Sequence, residues 1–319
     1  MSKAINEKIS PEILALPAAC ADEAKAVEFL EEQRWGDLPS CVNCGCVDVY
    51  KMKSADGGRN KRFLWRCTAC KKQYTIRTGT VIEESRIALR HWCYALWRAA
   101  TSKKGVSALE IKRQTGISYK ASLFMLHRIR HGMEPDAPQD GDKLKGIVEA
   151  DETYIGGKPR NKGPWNKRGR GSKKTPVAVL VERGGDARAY VVPNVGSLTL
   201  QAAIREFVDR DAHIMTDENR AYAGLRKQFR AHDVVRHSRK EYVRGNVHTN
   251  SAESFNAIIK RGIMGIYHNV SKKHLPRYLC EFVFRHNHRK VTDGERVKAL
   301  LRAIVGKRLA YKDPVGKAG

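Results

Sequence analysis

Three acidic residues and one lysine are spaced along the second half of the chain in a way that could hold divalent metal ions. Asp151 ends the segment LKGIVEAD, Asp217 ends AHIMTD, and Glu253 lies within HTNSAESFNAIIKR. The two aspartates have 65 residues between them, Asp217 and Glu253 have 35, and Glu253 and Lys260 have six. Hard cations such as Mg²⁺ prefer carboxylate oxygens, and a pair of them can activate an oxygen nucleophile and stabilise charge at phosphorus. The set therefore indicates phosphodiester chemistry.

The segments around these residues predict two strands and one helix. Each aspartate ends a short apolar run, and acidic groups at strand ends of an α/β sheet project into the crevice where ligands bind. Residues 248–261, wound as a helix at about 100° per residue, bring Glu253, Asn256 and Lys260 within roughly 60° of one another. The opposite side of this helix is apolar, so the helix is predicted to bury that side and to present the three polar groups.

In spacing and in type of element, these residues resemble the signature of the DDE transposases. That signature has two aspartates on strands, a glutamate on a helix, and a Lys or Arg two helical turns further on. The chain is similar in particular to bacterial insertion-sequence transposases that join a four-cysteine zinc ribbon to a DDE domain. Their motif H-x-N-x-x-E is matched here by His248, Asn250 and Glu253. Some members have Asn at the last position, whereas this chain keeps the glutamate.

The resemblance implies a DNA transposase, a polynucleotidyl transferase and endonuclease that binds the terminal inverted repeats of an insertion sequence. It implies metal-dependent strand cleavage, followed by attack of the freed 3′-hydroxyl on target DNA without a covalent enzyme intermediate. Two Mg²⁺ or Mn²⁺ ions per active site are expected, with Asp151 bridging both, Asp217 holding one and Glu253 the other. Lys260 is expected to meet a flanking phosphate or base. Supporting roles are expected for His248, Asn250 and Asn256.

The register of the two strands leaves an alternative for each aspartate. Asp151 is followed by Glu152, and Asp217 is followed by Glu218. Because neighbours along a strand point to opposite faces, a shift of one residue would exchange the ligand. The spacing to Glu253 fits the DDE signature best with the aspartates, so they are the predicted ligands.

The catalytic domain is predicted over residues 145–290, with a ribonuclease H-like α/β fold like that of retroviral integrases and a five-stranded mixed sheet. Three strands in a row are followed by alternating helices and strands, which is the order of that fold. The predicted strands are 145–151, 176–182, 187–193, 212–217 and 232–236. The predicted helices are about 198–210, 219–228, 249–261 and 272–289.

A basic segment, residues 156–174, separates the first two predicted strands. It contains eight Lys or Arg, five Gly and no acidic residue. We expect a flexible flap that closes on DNA phosphates, and the alternative is a disordered, solvated loop. The expected DNA contacts of this flap are Lys158, Arg160, Lys162, Lys167, Arg168, Arg170, Lys173 and Lys174.

Two C-x₂-C pairs in the first half of the chain predict a structural zinc site. Cys41 and Cys44 form one pair, Cys67 and Cys70 the other, with 22 residues between the pairs. Four thiolates suit tetrahedral Zn²⁺, which cross-links a module too small to fold on a hydrophobic core. Cys46 could replace Cys44, but C-x₂-C followed by glycine favours the tight turn of a zinc knuckle. The sequence does not decide whether this ribbon contacts DNA or protein, or braces the next domain.

The whole chain is predicted to be a multidomain α+β protein. Between the ribbon and the catalytic domain, a helix, a turn at Gly116 and a second helix from Ser118 suggest a helix-turn-helix-like segment that offers Lys120 and Arg128 to DNA. The alternative is a helical hairpin without a DNA role. The C-terminal helix could pack on the catalytic domain or mediate self-association. The predicted divisions are an N-terminal helical segment 1–36, the zinc ribbon 37–82, the helix-turn-helix-like segment 83–134, a linker 135–144, and a C-terminal helix and tail 291–319.

The charge of the chain predicts a polyanionic partner. The chain has 60 Lys and Arg and 34 Asp and Glu, which gives a formal net charge of +26. Double-stranded DNA is the default partner for a chain with this charge. No apolar run approaches the roughly 20 residues that span a bilayer, and the N-terminus does not read as a signal peptide. We therefore expect a bacterial cytoplasmic, nucleoid-associated protein without a membrane partner. Since transposition brings two DNA ends together, we expect a homo-oligomer, at least a dimer on DNA.

Two other functions fit parts of the sequence. An HNH-type nuclease would use His286, Asn287 and His288, but these residues lie in a segment that predicts continuous helix, whereas that site needs a hairpin leading into a helix. A DNA-binding regulator with a zinc ribbon, a helix-turn-helix and an inactive ribonuclease H-like scaffold would keep every feature except the use of the acidic triad. The transposase is the predicted function, and the regulator is the alternative.

Overall fold

The computed structural model describes residues 11–136, 142–156 and 174–311, together with residue 313. Two compact units make up the chain. The first consists of Met1–Ser102, Val106–Met133 and Lys290–Gly319, and the second of Lys103–Gly105 and Glu134–Arg289. None of the helices in the described ranges combines the length and the apolar character that crossing a membrane requires.

The first unit joins a small antiparallel sheet to a group of helices. The sheet has the order β1-β2-β3, and the C-terminal helix of the chain packs on the three N-terminal helices of this same unit. The sequence left open whether this helix packs on the catalytic domain or mediates self-association, and did not predict this packing within the first unit. The strands are β1 (Val49–Lys51), β2 (Trp65–Cys67) and β3 (Gln73–Tyr74). The helices are α1 (Pro11–Ala21), α2 (Glu23–Trp35), α3 (Leu89–Thr101), α4 (Ala108–Thr115), α5 (Tyr119–Gly132) and α9 (Asp293–Ala303).

The predicted helix pair with its turn is confirmed as α4 and α5. The side chain of Ser107 caps α4, and that of Ser118 caps α5 by accepting a hydrogen bond from the N–H of Ala121. Gly116 ends α4 with a left-handed φ of 75°, a conformation that glycine adopts without steric cost. Local capping thus fixes both ends of the turn.

The second unit is a mixed five-stranded sheet with helices on both faces, and it confirms the predicted ribonuclease H-like α/β fold. The strand order is β6-β5-β4-β7-β8, with β4, β5 and β6 antiparallel and β7 and β8 parallel to β4. The strands are β4 (Ile147–Ile155), β5 (Thr175–Glu182), β6 (Ala187–Val191), β7 (His213–Asp217) and β8 (Ala231–Val235). The helices are α6 (Ser197–Phe207), α7 (Asn250–Gly262) and α8 (Leu275–Asn287).

Alternation along β4 and β5 builds a separate core on each face of this sheet. Val148 and Ala150 of β4 join the core that includes α6. Val177, Val179 and Val181 of β5 join the core on the other face, which includes buried residues of α7 and α8. Because side chains alternate along a strand, odd-numbered residues of β4 point towards α7 and α8.

One predicted helix and one strand boundary were wrong. Residues 219–228 form two short 3₁₀ turns, Arg220–Tyr222 and Leu225–Lys227, instead of a helix. Gly224 between them has a left-handed φ of 96°, which a continuous helix cannot contain. Strand β4 also continues to Ile155, so Asp151 lies inside it, opposite Val179 of β5, and not at its end.

Candidate active site and zinc centre

Asp151 and Asp217 lie at the point where the pairing of β4 with β7 ends. The last pair in register on that side is Ala150 with Thr216, so each aspartate is the next residue of its strand. Beyond this point β4 continues, paired with β5, whereas β7 ends. The edge of β4 that opens there is a crevice at the carboxyl end of two parallel strands, where α/β sheets bind ligands.

The carboxylate of Asp151 is held on both oxygens. The side-chain amide of Asn256 on α7 donates to Oδ2 at 2.7 Å, and the N–H of Glu152 donates to Oδ1 at 2.8 Å. Burial, with the charges of Glu152 and Asp217, raises the pKa of Asp151 to about 6, although these two hydrogen bonds oppose the shift. A bound cation would favour the ionised carboxylate and remove this penalty.

The acidic neighbours of the two aspartates point elsewhere. Glu152 lies on the α6 side of β4, where the hydroxyl of Tyr222 donates to its Oε2 at 2.7 Å and the amide of Asn219 donates to its Oε1. Burial and the charge of Glu152 raise the pKa of Tyr222, so that this hydroxyl stays a donor. Exposed Glu218 accepts hydrogen bonds from Ser238, which lower the pKa of its carboxyl. This register favours the aspartates.

Glu253 is not drawn into the same cluster. Its side chain is 50% exposed, accepts a hydrogen bond from the Thr249 hydroxyl at 3.0 Å, and lies 3.7 Å from Nε2 of His237. Lys260, further along α7, is exposed. In the described part of the chain, no group of three or more carboxylate or histidine ligand atoms lies within 4.8 Å of one another. The structure thus brings Asp151 and Asp217 together but leaves Glu253 apart.

Asn256 is the residue of α7 that binds Asp151. Its side chain is only 4% exposed, because it turns into the interface with β4 to meet Asp151. Its Oδ1 is buried and has no hydrogen-bond partner among the residues described. Buried acceptors are normally satisfied, so this oxygen is available to a ligand in the crevice.

Glu149 is a residue of the site that the sequence analysis missed. It lies two residues before Asp151 on the same face of β4 and is 0% exposed. Its Oε2 accepts hydrogen bonds from the N–H groups of Ser251 (2.6 Å) and Ala252 (3.0 Å) in the first turn of α7, and Arg183 donates to its Oε1 at 2.6 Å. A carboxylate at a helix N-terminus satisfies orphan N–H groups and the helix dipole. In the sequence, the signal that could have pointed to this residue is a single glutamate within an apolar run.

One predicted supporting residue, His248, lies beside this carboxylate. Nδ1 of His248 is 2.9 Å from Nη2 of Arg183 and 3.3 Å from Oε1 of Glu149. Arg183 also donates to the carbonyl oxygen of His248 at 2.9 Å. Asn250 is the first residue of α7 and is exposed. His248 therefore belongs to the network that positions the start of α7.

The predicted DNA contacts divide into three groups. Lys174, just before β5, is exposed, whereas the other seven predicted contacts of the basic segment lie outside the described residues. Lys120 at the start of α5 is also exposed. Arg128 is only 5% exposed and donates from Nε to the carbonyl oxygen of Leu309 at 3.1 Å. The C-terminal segment covers most of Arg128, and its contact with DNA stays a prediction.

The four predicted cysteines form the zinc site expected from their spacing. Their sulfur atoms all lie within 4.8 Å of one another, with 3.6 Å between Cys41 and Cys70 and 3.7 Å between Cys44 and Cys67. Tetrahedral Zn²⁺ with Zn–S bonds of about 2.3 Å needs such sulfur separations. Cys46 is outside the cluster, 3.9 Å from the carbonyl oxygen of its neighbour Asp48. The donor set fits one structural zinc ion.

The residues of the rival nuclease motif do not form that site. His286 and Asn287 are the last residues of the continuous helix α8. Asn287 accepts a hydrogen bond from the N–H of Ala187 on β6 at 2.8 Å, and burial lowers the pKa of His286 to about 4. Asn287 thus bonds to the sheet, and His286 packs against Phe255 of α7.

Two parts of the chain are similar to models of known protein domains. Residues 143–287 match the model of the ISXO2-like transposase domain, and residues 21–73 match that of the transposase zinc-ribbon domain. An uncharacterized protein in transposable element ISH50 of Halobacterium salinarum is 29% identical over 295 residues, covering 88% of this chain and 96% of that protein. The cryo-EM structure of a simian T-cell lymphotropic virus intasome in complex with the PP2A regulatory subunit B56 gamma is similar at 14% identity, with a TM-score of 0.28, over 54% of this chain and 63% of that chain.

Proposed function

We propose that this chain, which matches the ISXO2-like transposase domain and the transposase zinc-ribbon domain, cuts and joins DNA at the ends of its element. In this proposal it binds the terminal inverted repeats and catalyses metal-dependent strand cleavage and strand transfer. Residues 145–290 are the catalytic domain, and the zinc ribbon of residues 37–82 is a structural module. The observation that carries the proposal is the position of Asp151 and Asp217 at one crevice of a ribonuclease H-like sheet.

Divalent cations, Mg²⁺ or Mn²⁺, are the proposed cofactors, two per active site. The donor chemistry at the crevice fits them, because Asp151 and Asp217 offer hard oxygen ligands and the raised pKa of Asp151 marks a carboxylate that lacks a counter-charge. Glu253 would supply the third carboxylate from α7. When bound, such cations supply an activated oxygen nucleophile and stabilise the charge that develops at phosphorus.

The residues of the chain have separate tasks in this proposal. Asn256 holds Oδ2 of Asp151 through its amide, so that the carboxylate keeps one orientation. Glu149 and Arg183 fix the first turn of α7 against β4, and thereby fix the backbone that carries Glu253. A site held by such outer contacts needs less reorganisation when substrate binds.

DNA binding is proposed from the net charge and from exposed cations in each of the two units. Lys260 lies two helical turns beyond Glu253 and is exposed, where it can meet a phosphate next to the scissile bond. Lys120 on α5 and Lys174 before β5 are exposed as well. The net charge of +26 means that affinity for DNA should fall steeply as salt is raised, since phosphate contacts release counterions. At least a dimer is proposed on DNA, because two ends must meet.

The test is a cleavage assay on plasmid DNA that carries the sequences flanking this gene, with Mg²⁺ or Mn²⁺. Wild type is compared with Asp217→Asn and Glu253→Gln, and Glu218→Gln serves as the matched control, since Glu218 is acidic, adjacent and points away from the crevice. We expect metal-dependent breaks at the repeated ends that both site variants abolish and the control keeps. If wild type and all variants bind the element ends and none of them cuts, the regulator replaces the transposase as the proposed function.

A further inference from the structure

A cavity of about 720 Å³ opens in the first unit beside the start of α5. Its lining includes three cationic and two aromatic side chains. We call these five residues the α5 pocket: Arg86, Lys120, Phe124, Arg128 and Tyr311. The volume lies within the range of roughly 300–1,000 Å³ typical of small-molecule sites. It is far larger than an inorganic anion requires. Neither the zinc site nor the crevice of the sheet shares any of these residues.

Arg128 supplies an unsatisfied cation to this pocket. It is 5% exposed, and its Nε donates to the carbonyl oxygen of Leu309. Within the described ranges, neither of its terminal nitrogens has a hydrogen-bond partner. Burial lowers the pKa of Arg128, and the charges of Glu84 and Glu83 oppose that shift; a guanidinium nevertheless remains charged at neutral pH. Arg128 lines the cavity, so an anion held there can accept hydrogen bonds from these two nitrogens.

The balance of charge around the cavity favours an anion. Arg86, Lys120 and Arg128 line it, and Glu84 is the acidic lining residue. The carboxylate of Glu84 already has a partner, because Nη2 of Arg308 lies 2.7 Å from its Oε2. A planar guanidinium beside an ammonium matches the oxygens of a phosphate group.

Aromatic rings stand next to these cations. The rings of Phe124 and Tyr311 meet edge to face, with 5.1 Å between their centroids. Nζ of Lys120 lies 5.0 Å from the centroid of Tyr311, and the guanidinium carbon of Arg128 lies 5.0 Å from that of Phe124. Aromatic side chains beside cations are the combination that binds single-stranded nucleic acid, with bases on the rings and phosphates on the charges.

We propose that the α5 pocket binds one nucleotide of a DNA strand, with its phosphate on Arg128 and Lys120 and its base against Phe124 and Tyr311. The proposal deepens the proposed function and rests on it, because DNA is the substrate that brings such a nucleotide to α5. It also gives the largely buried Arg128 a role in DNA binding. The pocket would hold an unpaired nucleotide, since a base within a duplex cannot enter a cavity.

The test measures binding of three probes to the full chain by titration calorimetry: inorganic phosphate, a deoxynucleoside 5′-monophosphate, and a short single strand with a 5′-phosphate. The chain carries Asp217→Asn, so that no probe is cut. We expect the nucleotide and the strand to bind at least about fivefold more tightly than phosphate, as stacking on aromatic side chains predicts. Equal affinity for phosphate and nucleotide would show a plain anion site and overturn the nucleotide assignment.

Substitutions assign the binding to the pocket. Arg128→Met should weaken nucleotide binding about tenfold or more, as loss of hydrogen bonds to a charged group predicts, and Arg128→Lys should restore part of it. Lys120→Gln and Phe124→Leu should each weaken it severalfold, and Lys120 is exposed, so its variant should fold even where Arg128→Met does not. The matched control is Arg113→Met, an exposed arginine at the end of α4. Undetectable nucleotide binding, or an equal loss in the control, overturns the proposal.

Failure of this proposal can be told apart from failure of the proposed function. The nucleotide measurement needs no catalysis, so a wild-type chain that binds nucleotide at Arg128 but never cuts element ends refutes only the transposase activity. A chain that cuts its ends with Arg128→Lys and Phe124→Leu unimpaired, and that binds no nucleotide, refutes only the α5 pocket.

Discussion

Glu149 should contribute more to the stability of the second unit than any exposed carboxylate of the chain. Its charge meets two N–H groups of α7 and the guanidinium of Arg183, all within 2.6 to 3.0 Å. The substitution Glu149→Gln keeps the size of the side chain but leaves Arg183, whose side chain is 18% exposed, without its counter-charge. Breaking a buried ion pair from one side costs about 3–5 kcal/mol, and the partial exposure of Arg183 places the expected loss near 3 kcal/mol.

The assay is urea unfolding followed by circular dichroism, with Arg183→Met and the double variant completing a cycle. A loss of about 3 kcal/mol corresponds to a fall in Tm of roughly 6–12 °C for a unit of this size. The double variant should be less destabilised than the sum of the single variants, with a coupling of about 1–3 kcal/mol. Glu206→Gln, an exposed site on α6, is the control and should change the free energy of unfolding by less than about 0.5 kcal/mol. If Glu149→Gln behaves like this control, the network does not hold α7.

Three further predictions concern the metal and proton sites. The pKa of Asp151 is raised to about 6 in the folded chain. The folded state therefore loses stability relative to the unfolded state as pH rises from the unfolded pKa of Asp151 to about 6. Asp151→Asn should therefore have a higher Tm than wild type at pH 7.5, and this difference in Tm should disappear below about pH 4. An equal difference in Tm at both pH values would contradict the raised pKa of Asp151. Mn²⁺ should raise the Tm of wild type but not that of Asp217→Asn in thermal scans with and without the cation. Cys44→Ser should lose the bound zinc, and Cys46→Ser should keep one zinc per chain, as measured by elemental analysis. If both variants keep the zinc, Cys44 is not a ligand.

The sequence predicted the five strands of the sheet and the zinc ligands because both depend on local patterns. Short apolar runs predicted the five strands of the sheet. The C-x₂-C spacing predicted the four zinc ligands, whose sulfur atoms lie within 4.8 Å of one another. Helical periodicity also placed Glu253 and Asn256 on one side of α7. It could not tell which of them faces β4, because residues three apart differ by only about 60°. The structure assigns that place to Asn256 and leaves Glu253 half-exposed.

The surroundings of Arg128 and Glu149 were not predicted because parts of the chain distant in sequence supply them. Arg128 lies on a helix whose later turns are buried, and the segment that covers it follows about 180 residues later, as the separation of 181 positions to Leu309 shows. The local pattern around α5 contains no sign of that cover. Glu149 was missed for a related reason, since its partners Ser251 and Ala252 belong to a helix a hundred residues downstream.

The two links between β4 and α7 explain how the site can be both fixed and adaptable. Glu149 holds the helix at Ser251 and Ala252, and Asp151 holds it at Asn256. Glu253 lies between these two anchored positions, so its backbone is held at both sides while its side chain is 50% exposed. A carboxylate placed in this way can change rotamer without moving the helix. It follows that Asn256→Ala should disturb the orientation of Asp151 before it disturbs Glu253, whereas Glu149→Gln should loosen both at once.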